Sequence, residues 1–451
     1  MLRGIGLAGV VAVVLSVGHS SELRAQSSNE QGRKVVVISL DAFGAESLRD
    51  PHLPAPTLHK LMKEGAYASA MNPINPTVTW PNHTAMVTGV NASKHHVIAN
   101  GLIVNQRGDA QPKIDPYAPK SRLVAVPTVY DAAHKAGLTT AEVDWVAVEA
   151  ADGITWRFSE KPHLDGPIEH DLIEQGVVSR EDLEHFNKPS QAWRDRIYTQ
   201  AGIDIIKKHH PDLLLFHLLA LDGIEHKTGF GNDSGVNTIA FLDDRVKDLV
   251  EAVKEAGDLD RTTFLIVSDH GQQSVFKHIH GNAMLRQAGL QGASVKNKAF
   301  CIPEGGFALI YQQHATPEST TALKAVFAGK TGVRAVLTPA EAAKDGWPIP
   351  SNTDQGPDLL VYASNGFAFA GDSGEAVITD TKEVGAHGYP NTEPLMKEIF
   401  IASGAGIAKK GEIPEFNNVD VAPTIARLLN LQLNNIDGKE ITAILAEKSQ
   451  K

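Results

Sequence analysis

The strongest constraint on the fold is a repeated pattern of short, near-continuous apolar runs separated by amphipathic stretches. The runs at 35–40, 213–219, 264–268, 359–362 and 399–403 are rich in Val, Ile, Leu and Phe. A strand with one wet face alternates apolar and polar residues, whereas an almost unbroken apolar strand is covered on both faces, as in a parallel sheet. Between these runs, 81–90, 129–136, 192–208, 237–256 and 419–429 carry the spacing of helices with one apolar stripe. The last follows Asp420, an N-cap residue type, and has Pro423 in its first turn. This alternation predicts an α/β fold, a largely parallel sheet with helices on both faces. With 42% hydrophobic and 21% charged residues over 451 positions, the chain has material for a large core and is neither disordered nor fibrous.

In such a sheet, ligands bind beyond the carboxyl ends of the strands. The run 35–40 ends on Asp41. The run 213–219 leads to Asp222, with His226 four residues on, and 264–268 leads to Asp269 and His270. His387 stands in a glycine-rich loop with Gly385 and Gly388. An Asp after a strand is often no more than a turn or a helix cap. Three such ends, two with an imidazole nearby, point instead to oxygen and nitrogen ligands for zinc or a similar divalent ion. The charge balance agrees. Lys plus Arg is 42 and Asp plus Glu is 53, net −11, which is wrong for stable nucleic-acid binding. An anionic substrate then needs local positive charge, and metal ions supply it. The single Cys301 excludes an intrachain disulfide and a Cys-based zinc cluster.

The segment 76–90 holds the expected nucleophile. Pro81 marks a helix start with Thr79 just ahead, so Thr79 faces free backbone N–H groups and the positive end of a helix dipole. The structural alternative is that Thr79 is simply an N-cap. Thr77, Thr84 and Thr88 compete, but the last two lie inside the helix, where hydroxyls bond back to the chain. A threonine hydroxyl needs a base or a metal to act as a nucleophile. The chain has neither a Gly-x-Ser-x-Gly elbow nor a Walker loop with Lys. A two-metal site is the economical activator.

The ordered set Asp41, Thr79-Trp80-Pro81-Asn82-His83, Asn100, Asp222-x-x-x-His226, Asp269-His270-Gly271 and His387-Gly388-Tyr389, with the helix that follows Val419, resembles the nucleotide pyrophosphatase/phosphodiesterase (type I phosphodiesterase) family of the alkaline phosphatase superfamily. The resemblance covers roughly residues 34–430. It implies an alkaline-phosphatase-like core and a hydrolase that cleaves phosphodiester or pyrophosphate bonds of nucleotide-type small molecules. It also implies two Zn2+ per chain, one held by Asp222, His226 and His387. The other is held by Asp41, Asp269 and His270, with the Thr79 oxygen as a further ligand. Thr79 becomes a phospho-threonine intermediate, and Asn100 donates to a non-bridging phosphoryl oxygen. The alternative on the same core is a phosphomonoesterase or a phosphonate hydrolase.

The sequence departs from the family in two places. Trp80 stands where Phe usually stacks on a base, and Val146-Ala147-Val148-Glu149 replaces the usual Pro-Gly-Ser stretch after Trp145. A Lys-x-Arg clamp of the kind found in threonine-using monoesterases is absent; Arg157 and Lys161 are spaced differently. That favours diesters, because a monoester's extra charge needs extra donors. Trp80, Trp156 and Phe158 are the expected aromatic lining of a substrate pocket, with core packing the alternative for Phe158. His95–His96 and His209–His210 read as solvated surface, His278 and His280 as residues at most on a rim, His83 as a structural hydrogen-bonder, and Cys301 as core. Residues 1–25, with Arg3, an apolar stretch and a small-residue exit at Ala25, read as a secretory signal. An uncleaved anchor is the alternative. The mature chain is expected to be periplasmic or secreted, without a membrane span. The catalytic domain is expected at 33–446 with a small inserted cap subdomain around 282–354. Nothing in the sequence fixes an oligomeric state.

Overall fold

In the computed structural model, which describes residues 32–372 and 374–446, the apolar runs build an eight-stranded sheet. Its strands are β1 (Lys34–Leu40), β2 (Ala66–Ala68), β3 (Thr140–Val143), β4 (Trp156–Phe158), β5 (Leu213–Leu218), β6 (Thr262–Val267), β7 (Phe400–Gly404) and β8 (Gly411–Ile413). They lie in the order β8-β2-β7-β6-β1-β5-β3-β4. β1 pairs in parallel with β5 and β6, β3 with β5 and β4, and β2 with β8. β7 is antiparallel to both its neighbours. The sheet is therefore largely parallel, as its apolar strands require.

β1 shows why those strands read as unbroken apolar runs. Val36, Ile38 and Leu40 enter one core and Val35 and Val37 the other, all fully buried or nearly so. Five helices matter for the site: α1 (Thr79–Thr88), α2 (Gln191–His209), α3 (Ala220–Thr228), α4 (Asp233–Glu255) and α5 (Val421–Leu428). α2 and α4 cover the first face through Ile197, Ala201, Leu242 and Val246, and α1 and α5 the second through Met86, Val87, Val421 and Ile425. Each of these Leu, Ile, Val or Met side chains taken fully out of water contributes about 1.5–3 kcal/mol.

The run at 359–362 is the exception. It forms Leu359–Ala363, which belongs to a separate antiparallel sheet with Phe307–Gln312 and Val333–Leu337 on either side and Ala299–Glu304 beyond. That sheet is also covered on both faces, so its strands look the same in sequence as buried parallel ones. A three-stranded ribbon, Gln273–Ile279 between Phe367–Phe369 and Ile378–Ala386, stands beside it. The second sheet and the ribbon thus run past 354. Phe307, Leu309 and Tyr311 pack against Ile74, Val78, Ala85 and Ile98, so the second sheet supports the chain on both sides of Thr79. The described chain from Arg33 onward is one compact unit. Among the described residues no helix is long and apolar enough to cross a membrane. The 1–25 segment lies outside them.

Candidate metal centre

The carboxyl ends of β1, β5 and β6 are adjacent, and their acids converge. Asp41 follows β1, with its N–H donated to Leu218 O of β5 (3.0 Å). Asp269 follows β6, and its Oδ1 accepts the N–H groups of Ala42 (3.1 Å) and His270 (3.1 Å). β5 passes into α3, where Asp222 and His226 share one face at i, i+4, with Nε2 to Oδ1 at 3.1 Å. Neither the N-cap Leu219 nor any other side chain of α3 caps its start. Asp195, fully buried in α2, does so from outside, accepting Leu219 N–H (2.9 Å) and Ala220 N–H (2.8 Å). His387 arrives from the turn after Ile378–Ala386.

α1 begins at Thr79, not at Pro81. Val78 is the extended N-cap without a side-chain cap bond, and Gly89 ends the helix at φ +71. The loop before it is held by Asn82, which accepts Ile74 N–H and donates to Pro76 O and Val78 O, all at 2.9 Å. Thr79 Oγ1 lies 3.3 Å from His270 Nε2. Asn100 Oδ1 accepts Trp80 N–H (3.1 Å), which orients its amide nitrogen for another acceptor.

Three imidazoles are set in the same way. His270, His226 and His387 each donate Nδ1–H to a backbone carbonyl: Gly271 O (3.2 Å), Gly385 O (2.9 Å) and Thr77 O (3.1 Å). Each then presents Nε2 to carboxylate oxygen. His270 faces Asp41 Oδ1 and Asp269 Oδ2, both at 3.4 Å, and His387 faces Asp222 Oδ1 at 3.9 Å. Asp41, Asp269 and His270 form one triad and Asp222, His226 and His387 another, with the ligand atoms of each within 4.8 Å of one another. The stacked rings of His270 and His387, 3.9 Å apart, join the two. Asp41 Oδ1 and Asp269 Oδ2 are buried with no hydrogen-bond partner. In the second triad Asp222 Oδ1 accepts Gln272 Nε2–H (2.6 Å). Carbonyl-anchored imidazoles aimed at carboxylate oxygens, two of them unpaired, are what divalent cations require, so the residues present fit such ions.

The electrostatics carry the same message. Burial, and then Asp269, push the Asp41 carboxyl well above its ordinary range. Burial takes Asp269 up to about 6 and His270 down to about 4. Burial also holds His387 well below its usual value. Burial opposes the charged form of His226, but Asp222 overrides it and raises the imidazole to about 9. Asp222 is correspondingly held below the carboxylate range despite its own burial. Without a cation, at neutral pH, Asp41 favours its protonated form and the second triad an ion pair.

The aromatic expectations fare less well. Phe158 is wholly buried against Phe186 and Tyr198. Trp156, at the start of β4 and so at the opposite end of the sheet, stacks on His209 at 3.6 Å. Neither joins the site: Phe158 is spent in the core, and Trp156 stands at the N-terminal end of its strand. Trp80 does adjoin it but is only 8% exposed, packed with Val97, Leu102, Val146 and Ala147. The altered stretch after Trp145 therefore lies against Trp80. His95 is fully buried, against the surface reading. Its Nδ1 accepts Val97 N–H (3.1 Å), and burial lowers its pKa to about 3. His280 is also buried and spent on Gly371 O and Thr379. His209 lies near Asp171 and Asp204, but Lys208 already bridges those carboxylates at 2.9 and 3.0 Å. His83 donates Nδ1–H to Thr79 O (2.9 Å), as a structural role requires. Asn82 stands in the Thr79 motif, but its role in holding the preceding loop is not marked there; Asp195, His217 and Asp144 carry no signal beyond one His within an apolar strand.

The family model described as type I phosphodiesterase / nucleotide pyrophosphatase matches residues 35–390. Human ectonucleotide pyrophosphatase/phosphodiesterase family member 5 is 23% identical over 408 residues, covering 88% of this chain and 75% of that protein. The human bis(5'-adenosyl)-triphosphatase ENPP4 is 22% identical, covering 94% and 84%. The structure of an inactive form of murine ectonucleotide pyrophosphatase / phosphodiesterase 5 with AMP superposes with a TM-score of 0.72 at 19% identity, over 92% of this chain and 100% of that one. The two triads thus stand on the fold that this likeness marks, and the chain belongs to the type I phosphodiesterase/nucleotide pyrophosphatase family of the alkaline phosphatase superfamily.

Proposed function

We propose that this protein is a two-zinc hydrolase that cleaves phosphodiester or pyrophosphate bonds of nucleotide-type small molecules, with Thr79 as nucleophile. The observation that carries the proposal is the set of three carbonyl-anchored imidazoles presenting Nε2 to three carboxylates beside the Thr79 hydroxyl. Asp41, Asp269 and His270 would hold one ion and Asp222, His226 and His387 the other. When bound, the ions supply positive charge that favours the Thr79 alkoxide and offsets charge on phosphoryl oxygens. The names of the relatives, a bis(5'-adenosyl)-triphosphatase among them, support a nucleotide substrate.

Thr79 Oγ1 attacks phosphorus, and the bond from phosphorus to the leaving oxygen breaks with its electron pair on that oxygen. The phosphoryl group then sits on Thr79. Water attacks the same phosphorus, the bond to Oγ1 breaks, and the hydroxyl is restored. Thr79 opens α1; Trp80 N–H is taken by Asn100, Pro81 has none and Asn82 N–H bonds Val78 O, so the Thr79 N–H is the first-turn donor left for an oxyanion. Asn100, held by Trp80 N–H through Oδ1, offers its amide N–H to a non-bridging oxygen. The ion-pair partners of Asp41, Asp222 and Asp269 are all histidines. Arg157 is spent on Ala151 O and Ile154 O, and Lys161 lies over the Tyr117 ring. Among the described residues Arg157 and Lys161 therefore offer the site no extra basic clamp for a monoester's second charge, which supports diesters over the phosphomonoesterase alternative. The N-terminal segment supports export to a periplasm or beyond.

The test is zinc-loaded protein assayed on bis-p-nitrophenyl phosphate, p-nitrophenyl phosphate and a dinucleoside polyphosphate, beside Thr79→Ala. The expected result is a preference for diester and pyrophosphate, two zinc per chain, and loss of turnover in Thr79→Ala with zinc content kept. Full activity in Thr79→Ala overturns the nucleophile, and a strong monoester preference overturns the substrate class.

A further inference from the structure

The loop that follows β6 supplies Asp269 and His270 to the first triad. Two residues past His270 it carries Gln272, which is fully buried. Gln272 Nε2 donates to Asp222 Oδ1 at 2.6 Å and to Asp222 O at 3.3 Å. The same Oδ1 faces His226 Nε2 at 3.1 Å and His387 Nε2 at 3.9 Å. A backbone carbonyl only accepts, so the Gln272 amide can stand one way round, with its nitrogen on Asp222 and its oxygen away from it.

That orientation leaves Gln272 Oε1 buried without a hydrogen-bond partner. Oε1 lies against Gly385, where a Cβ would stand 2.1 Å from it and 2.5 Å from Glu225 O of α3. Gly385 thus has to lack a side chain where Gln272 and α3 close on it. The carbonyl of the same Gly385 accepts His226 Nδ1–H at 2.9 Å. The two ligands that α3 contributes, Asp222 and His226, are therefore restrained by groups that meet at Gly385. An amide buried with its oxygen unsatisfied costs free energy that an apolar side chain of the same length avoids. Packing does not account for an amide at 272; the two bonds to Asp222 do.

We propose that Gln272 is a positioning residue for Asp222, fixing its carboxylate for the ion shared with His226 and His387. This rests on the metal reading given under Proposed function. A carboxylate oxygen carries two lone pairs, so the hydrogen bond on Oδ1 leaves one for an ion. The second bond, to Asp222 O, ties the same amide to the backbone of the ligand, so Oδ1 is set relative to its own main chain. Gln272 acts through Asp222, as hydrogen-bond partners of metal-binding carboxylates do. One loop thereby serves both ions: Asp269 and His270 belong to one triad, and Gln272 aims a ligand of the other.

The test is Gln272→Met, which keeps the length of the side chain and removes the amide. Zinc affinity is measured by competition with a chromophoric chelator, and Asp222→Ala identifies which of the two binding steps belongs to the second triad. Gln272→Met is expected to weaken that step by about 10–100-fold and to leave the other step unchanged. In the Asp222→Ala background the same change is expected to have no further effect on the remaining step. Gln272→Asn, whose amide falls one methylene short of Asp222, is expected to weaken the same step as Gln272→Met, and it serves if the Met variant does not fold. Wild-type affinity at both sites overturns the positioning role. So does an equal weakening of both steps, or a further loss in the Asp222→Ala background, because a general loosening of the fold has no preferred site. A wild-type protein that binds no zinc overturns the metal reading instead.

Discussion

Asp195→Asn tests how the fold presents its second triad. Asp195 is fully buried, and each of its oxygens accepts one N–H at the start of α3, from Leu219 at 2.9 Å and Ala220 at 2.8 Å. Asn keeps one acceptor and turns an NH2 group toward the other N–H. The change removes one charge-assisted hydrogen bond and leaves buried donors facing each other. Together these cost about 2–4 kcal/mol. A unit of about 400 residues unfolds with an entropy of roughly 0.9 kcal/mol/K, so the melting temperature should fall by about 2–5 °C. Asp222 lies two residues beyond Ala220, so the loosened turn also moves a ligand. The assay is calorimetry on chelator-treated protein, because bound zinc would add its own stabilisation, followed by zinc competition. Weaker binding should accompany the lower melting temperature. A shift below about 1 °C with wild-type zinc affinity would refute the idea that Asp195 holds this turn.

Gly271→Ala should disturb the first triad, since a Cβ there would lie 2.0 Å from Leu395 O, a backbone atom that cannot swivel away. A loss of about 1–3 kcal/mol in chemical denaturation is expected, and wild-type stability would show that the turn yields easily. Zinc affinity should fall with pH in two stages. In the metal-free protein His226, raised to about 9 by Asp222, must shed a proton before the Asp222 triad binds an ion, so log K at that site should drop about one per pH unit from 9 to 6. At the other triad Asp41, raised well above its ordinary range, must also shed a proton, and below about 6 the fall there should steepen as Asp269 takes one up. A flat profile between pH 6 and 9 in chelator competition would contradict this. Cys301 is 1% exposed with its thiol pushed up by burial, so Ellman's reagent should find no thiol until denaturant is added. Rapid labelling of the native protein would be the contrary result.

The central sheet was legible because a strand covered on both faces cannot alternate, and Val35 to Leu40 show this directly by entering two cores in turn. The same rule misassigned 359–362. Leu359–Ala363 is antiparallel, yet it too is sandwiched, so its composition carries no mark of its direction or its sheet. The helix boundary at Thr79 was misplaced by two residues because Pro81 looked like a first helical position. Proline is also tolerated elsewhere in a first turn, where its missing N–H has no helical partner to lose. His95 departs from the surface reading because flanking polar residues do not define its environment: one of two adjacent imidazoles tucks inside while its neighbour His96 stays half-buried.

For the site, sequence distance decided what could be seen. Asp41, Asp222 and Asp269 stand where apolar runs stop, and a strand end is a position that a linear pattern can mark. His217 and Asp144 lie in the interior of β5 and just past β3, and their relation to Asp41 exists only through strand order and register. No local pattern encodes that β3, β5 and β1 are neighbours. Asn82 and Asp195 are similar: each satisfies backbone groups of another segment, and only assembly reveals which. The candidate ligands are therefore visible as chemistry, because an acid or imidazole at a strand end stands out in a linear pattern, while the residues that hold their segments are visible only as packing.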